Sequence, residues 1–477
     1  GDLSPLIDSP VAALKRAGNM AVELDLSILN DKRISVNHLQ VASQTLSAQG
    51  KAAFDANHWP EQFQLNVTVA PGTLSEDLAQ VSGVDTEFGE GQFELSYNRT
   101  LGDQWTLNAD FQDAGFGAYQ ATRSGIVGKG KIGVKPAALD DNWINGVISL
   151  TATQLSGPQD IQPLINGNIT AGFEFNYSAQ TGLGFKNITA KSKDVSVTGQ
   201  LTLPADYAEI TANLALDMRE LTVIRPLTRM LDLAGSAQAQ ADITYHFGDG
   251  EFSLSSTLQT DMLSGIHPQM DRFLAGKSDL DLALERNSSG TYLRRLALLN
   301  PQISMESMAN ITLDSSKFTA QATLNDAQLI DPSLSGRLRT QVSAQQATQT
   351  SNWDIAGDLR ADQNTEVSYS ASSHDGKVTN LRVTGNTDAA MANGFLAPNS
   401  IKGPLTFDLV MADIVDRASL SGNISMTNGT LAMNALPAPI LGADISAKIS
   451  NGRATLDGQA TYGDQKTGIS ASGCPIW

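Results

Sequence analysis

The chain has 477 residues, with 32 basic against 50 acidic side chains and a formal charge of −18. A surface this acidic, with no basic run to offset it, repels phosphate backbones and excludes nucleic acid as a partner. Charged residues make up only 17% of the chain, so Ser, Thr, Asn and Gln fill the polar positions, a choice that suits the wet face of a strand better than that of a helix.

In chain order, residues 1–20 read as a short helical or loop segment, and 21–470 as one continuous repetitive β region without a sharp internal boundary. Residues 471–477, ending Gly473-Cys474-Pro475-Ile476-Trp477, form an atypical tail. The governing signal is alternation with a period of two, the mark of a strand with one buried face. Phe63, Leu65, Val67 and Val69 alternate with Gln64, Asn66 and Thr68; Trp105, Leu107, Ala109 and Phe111 alternate with Thr106, Asn108 and Asp110. Ile210, Ala212, Leu214, Leu216 and Met218 continue the pattern, as do Ala237 to Tyr245, Phe318 to Leu324, Leu405 to Leu409 and Ile445 to Ile449. Gly248-Asp249-Gly250, Asn428-Gly429 and Asn451-Gly452 read as hairpin turns.

Helical spacing interrupts the strands at Leu74 to Val81, Asp160 to Ile165, Arg225 to Ala234, Gln269 to Ala275 and Ala389 to Leu396. Several of these patches end in a glycine suited to a helix C-cap: Gly83, Gly167, Gly235 and Gly276. They read first as plain connections, and second as helices covering a sheet end. Similar phrases recur at Val195 to Leu203, Met305 to Leu313 and Leu420 to Met426, a weak internal repeat of units that cannot bury their faces alone.

No motif carries chemistry. Gly128-Lys129-Gly130-Lys131-Ile132-Gly133 spells the dinucleotide fingerprint, but Pro136 follows and no helix can open to meet a phosphate. His38, His58, His246, His267 and His374 never fall at ligand spacing, and the lone Cys474 allows neither an internal disulfide nor a thiolate zinc site. Asp140-Asp141-Asn142 and the pair Asp279 and Asp281 do not continue into a calcium loop; the pair suits the wet face of a strand carrying Leu280, Leu282 and Leu284. We expect no catalytic residue, no cofactor and no metal.

Met218 to Ala237, Leu324 to Gly336, and Ser400 to Leu409 leading into Leu420 to Leu431 share a pattern of leucine-rich helix, glycine and alternating strand. In this they resemble the AsmA-like, TamB superfamily over about residues 20 to 470. The resemblance implies a mainly β fold: an elongated, repetitive antiparallel sheet curled into an open groove (a β-taco), with a few short helices. It implies a location in the periplasm of a Gram-negative bacterium, with an inner-membrane anchor in the full-length protein and an outer-membrane TamA-like barrel protein as partner. It also implies phospholipid transport between the two membranes, assistance to outer-membrane protein assembly, or both. Without an initiator Met or an apolar leader, the chain reads as an interior piece of such a protein.

Aromatic residues are only 6% of the chain, so an aliphatic wall open to acyl chains is expected. Its lining is expected to include Leu214, Leu216, Ile243, Leu254, Leu282, Ile311, Leu324, Phe407 and Leu409. Two rivals share the alternation. One is a β-solenoid or adhesin-type scaffold with a solid apolar core. The other is an outer-membrane barrel, against which five Trp and eight Tyr argue, because barrels carry aromatic girdles.

Overall fold

A computed structural model describes residues 21–475, apart from 45, 72–84, 88, 134–141, 229–230, 331–335, 347–351, 363 and 375–376. The expected segment 1–20, the helical patch Leu74 to Val81 with Gly83, Pro136, the Asp140-Asp141 pair and the last two residues therefore lie outside the described residues. Two compact units divide the chain, one ending at Asp249 and the other starting at Gly250.

The first unit is an antiparallel meander. Its strands are β1 (Ala21–Ile28), β2 (Ile34–Ala42), β3 (Leu46–Phe54), β4 (Pro60–Val69), the stub β5 (Thr86–Glu87), β6 (Gly91–Asn98) and β7 (Gln104–Phe116). They are followed by β8 (Tyr119–Gly133), β9 (Trp143–Leu155), β10 (Gly167–Ser178), β11 (Gly182–Lys191), β12 (Val195–Leu203), β13 (Glu209–Met218) and β14 (Ala234–His246). Each strand pairs with the next, except that β4 pairs with β6 while β5 pairs with β7. The outermost strands, β1 and β14, are not paired with each other, so the unit does not close into a barrel.

The second unit repeats the plan. It holds β15 (Phe252–Ser264), β16 (Lys277–Asn287), β17 (Gly290–Leu299), β18 (Ile303–Thr312), β19 (Ser316–Leu324), β20 (Leu338–Gln346), β21 (Trp353–Ala361) and β22 (Thr365–His374). Then come β23 (Lys377–Asp388), the short β24 (Ser400–Lys402), β25 (Pro404–Asp413), β26 (Leu420–Ala432), β27 (Ile440–Ser450), β28 (Arg453–Tyr462) and β29 (Gln465–Pro475). Here β23 pairs with β25, and β24 extends the ladder beside β26. Again the outermost strands do not meet.

Bulges keep the apolar side chains in phase. Along β11, Phe185 and Ile188 differ by an odd number of residues and should point to opposite faces. A register shift between them, with Asn187 at φ 47°, returns both to one side. The shifts between Val36 and Leu39 and between Leu293 and Leu296 do the same. Asn428-Gly429 is a further case, and it corrects the hairpin reading. Asn428 has φ 48° and sits inside β26, whose ladder with β27 shifts register on both sides of Gly429. Asn451-Gly452 does turn a hairpin between β27 and β28, with both residues at positive φ (51° and 70°) as a type I′ turn requires. The Gly128 to Gly133 phrase lies wholly within β8.

Helical turns follow β9 (Gln162–Ile165), β13 (Leu221–Ile224), β15 (Pro268–Phe273), β19 (Ala327–Leu329) and β23 (Ala389–Leu396). Because connections in a meander alternate between its two ends, these all fall on one edge of their own unit. Among the described residues, the opposite edge carries tight turns and a single 3₁₀ turn, Arg417–Ser419. The helical turns are more than connections. Leu221 and Val223 are buried, as are Leu274 and Ala389, and Ala327 is 1% exposed. Ala327 packs with Leu324 and Leu338, while Ala389 packs with Met426, Ala443 and Ala460. The covering reading therefore holds for the turns after β13, β15, β19 and β23, whereas no residue of Gln162–Ile165 is buried.

Trp105 shows how glycine admits bulk on the sheet face. Its register partner in β8 is Gly130, and a Cβ added at neighbouring Gly128 would come within 2.9 Å of its ring. The indole Nε1 donates to the carbonyl of Asn145 at 3.1 Å, which holds the ring in place. Gly128→Val should therefore destabilise the fold by about 1–3 kcal/mol through overpacking. Trp105→Leu should relieve most of that cost, so a double-mutant cycle in urea would show strong coupling; additive effects would refute the packing account.

Candidate apolar binding face

Residues opposite one another across an antiparallel ladder point to the same face, so the registers trace rows across each unit. One row of the first unit takes a residue from each full-length strand: Val22, Val41, Ala48, Val67, Phe93, Ala109, Ile126, Leu150, Ala171, Ala190, Val197, Leu216 and Ala239. No polar residue breaks it. Neighbouring rows carry Leu214 beside Gly199 and Ala241, and Ile243 beside Ala212 and Leu201.

The second unit has an equivalent row: Leu258, Leu280, Leu298, Met305, Ala322, Thr340, Leu359, Val367, Gly385, Phe407, Ile424, Ala447, Leu456 and Ala471. Its one hydroxyl, on Thr340, donates to the carbonyl of Asp358 at 2.9 Å and so is satisfied within the ladder. Leu254, Leu282, Leu324 and Leu409 share this face. Ile311 lies on it too, but at the strand end between Thr291 and Ser316, 59% exposed, where the apolar surface gives way to polar neighbours. Leu214, Leu216, Ile243, Leu254, Leu282, Phe407 and Leu409 are half-buried, whereas Leu324 is buried in the small cluster at the helical edge.

The opposite face is wet and laced across the strands. Asp110 receives Arg123, Asp408 receives Arg382 through two N–H groups, and Asp281 meets Arg295 at 3.3 Å. Uncharged side chains do the same work: Gln321 donates to Glu306 at 2.9 Å and Asn187 to Glu174 at 2.9 Å. Exposed pairs of this kind add at most about 1 kcal/mol each, so their main effect is to keep the carboxylates on the wet side. Asp279 and Asp281 sit there, opposite Leu280, Leu282 and Leu284.

The expectation of an aromatic-poor lining needs refining. Phe63, Phe93, Tyr97, Trp105, Phe111, Phe173, Phe175 and Phe185 all lie on the apolar face of the first unit, brought together from β4 to β11 by register. Phe63 stacks on Tyr97 at 5.9 Å, and Trp105 tilts against Phe175 at 6.1 Å. A cavity of about 430 Å³ opens among them at the tight-turn edge. Alternation in the sequence marks Phe63, Trp105 and Phe111 as apolar strand positions, but none of the eight was among the residues expected to line the wall.

Among the described residues, no three His, Cys, Asp or Glu side chains gather to hold a metal, and no helix is long and apolar enough to cross a membrane. No family model matches the chain, and no curated protein matches it.

Tyr97 is the titratable group most affected by this face. Burial pushes its hydroxyl up to about 12, and its hydrogen bond to Asp103 at 2.9 Å adds to the effect. A raised pKa favours the neutral form in the folded state. The associated stability is therefore complete below pH 10 and is lost as pH climbs from 10 to about 12. Ultraviolet titration should show one tyrosine ionising last, and Asp103→Ala should bring it down towards the others.

Proposed function

We propose that this protein handles lipid, carrying acyl chains along the apolar face of its antiparallel sheet. The carrying observation is the unbroken apolar row of the first unit, from Val22 to Ala239, whose central members Val67, Ile126, Leu150 and Leu216 are half-buried rather than sealed in a core. Each methylene moved from water onto such a surface gains about 0.8 kcal/mol. Because that gain has no direction, a chain can shift from one strand to the next without crossing a deep minimum.

An open groove is the sheet curvature that would best shield such a chain. With the resemblance to AsmA-like, TamB proteins, this supports a periplasmic bridge moving phospholipid between the membranes of a Gram-negative bacterium. Outer-membrane protein assembly, with a TamA-like barrel as partner, is the companion role. The reading assigns no catalytic step and no cofactor. A scaffold with a solid apolar core is the second reading, favoured by the dry clusters around Ala327 and Ala443 at the helical edges.

A photo-crosslinking residue at Leu216 or Leu282 should capture phospholipid in cells, while the same residue at Asn213 or Asp217, on the wet face beside Asp242 and Gln238, should not. Equal capture on both faces would sink the lipid reading. Failure at every apolar position would favour the scaffold.

A further inference from the structure

The apolar face is not uniform, and the cavity at the tight-turn edge of the first unit differs in kind from the rows around it. Elsewhere the face of this unit is mainly Val, Leu, Ile and Ala, with Phe93, Phe111, Phe173 and Phe185 among them. Here Trp59, Phe63, Tyr97, Trp105 and Phe175 surround about 430 Å³. Aromatic rings have only two side-chain torsions, so such a wall holds its shape with little entropic cost when a ligand arrives. The size falls within the range of small-ligand sites. Among the described residues, the helical turns of this unit cap the other edge of the sheet and this edge carries tight turns.

The mouth of the cavity carries charge. Arg99 and Asp103 line it, and Arg99 is already held by Asp55 at 3.0 Å. Asp55 also accepts the backbone N–H groups of Asn57 and Trp59 at 2.9 and 3.0 Å, which keep it ionised. Tyr97 donates to Asp103 and contributes no charge. Lys131 pairs across the ladder with Gln104 in the register of the opposite face, and its Nζ reaches the adjoining turn, 3.9 Å from where a Cβ on Gly102 would stand. Of these groups only Arg99 and Asp103 line the cavity, one cation beside one carboxylate, a pairing that matches a head carrying both charges better than a purely anionic head.

We infer that this cradle is a fixed station for one acyl chain of a lipid whose head carries both an ammonium and a phosphate. The chain lies among the rings, the ammonium meets Asp103, and the phosphate meets Arg99. The inference rests on the lipid reading above and adds to it a place where a sliding chain pauses, together with a preference for one class of head.

The test uses intrinsic fluorescence. Replacing Trp143, Trp353 and Trp477 by Phe leaves Trp59 and Trp105 as reporters. The probes are a lysophospholipid brominated in mid-chain with an ethanolamine head and its glycerol-headed, anionic counterpart, both below their micelle concentrations. The ethanolamine form should quench saturably at a concentration about fivefold lower than the anionic form, the scale of one exposed charge contact. Asp103→Asn keeps an acceptor for Tyr97 and should erase most of that difference.

A control protein replaces all five Trp by Phe and carries Leu216→Trp, reporting from the same face away from the cradle; it should quench only at higher concentration. Equal quenching at both places would overturn the station and leave the lipid reading intact. Quenching at neither would overturn both. Quenching at the cradle without head preference would overturn the ammonium assignment.

Discussion

A strand cannot satisfy its backbone alone; every N–H and C=O must find a partner on a neighbouring strand. In an antiparallel ladder that requirement fixes which side chains share a face. Once β12 and β13 are paired so that Val197 meets Leu216, then Thr198 must meet Ala215 and Gly199 must meet Leu214. A slip of one residue would turn the apolar set of a strand into water. The apolar rows, the aromatic cradle and the carboxylates of the wet face all depend on this register. Where the sequence falls out of step, as between Phe185 and Ile188, a bulge restores it.

The two edges of each meander divide the remaining work. At the helical edge, short turns bury Leu221, Ala327 and Ala389 against the strand ends, and the last two make small dry clusters, in one of which Ala443 is wholly buried. These clusters offer close packing that the half-exposed face does not. Charge follows the same partition. Arg123, Arg382 and Arg295 each reach across to an aspartate on the wet face, which keeps that face acidic yet internally paired.

Alternation was legible because it is local: Phe63 to Val69 and Ile210 to Met218 announce their strands within a few residues. Helical patches at Gln269 to Ala275 and Ala389 to Leu396 were legible for the same reason. The turn at Leu221 to Ile224 begins four residues ahead of the expected Arg225, and Ala327 to Leu329 was not anticipated, since one turn of helix leaves almost no periodicity to read. Asn428-Gly429 misled because a left-handed Asn serves a bulge as readily as a hairpin. The cradle was beyond reach in principle. Tyr97 and Trp105 face each other across one hairpin, but Phe63 and Phe175 come from strands distant in sequence, and only the completed ladder sets all four side by side.

The alternation of connections has a bearing on how such a chain can change length. Deleting one strand would reverse the direction of every strand after it and carry the following helical caps, with the clusters they seal, to the opposite edge. Deleting a hairpin preserves both direction and edge. Growth and loss are therefore quantised in pairs of strands, roughly 9 to 10 Å of sheet width per step at the spacing of neighbouring strands. The stubs β5 and β24 respect that arithmetic: each lies alongside the ladder without entering the count.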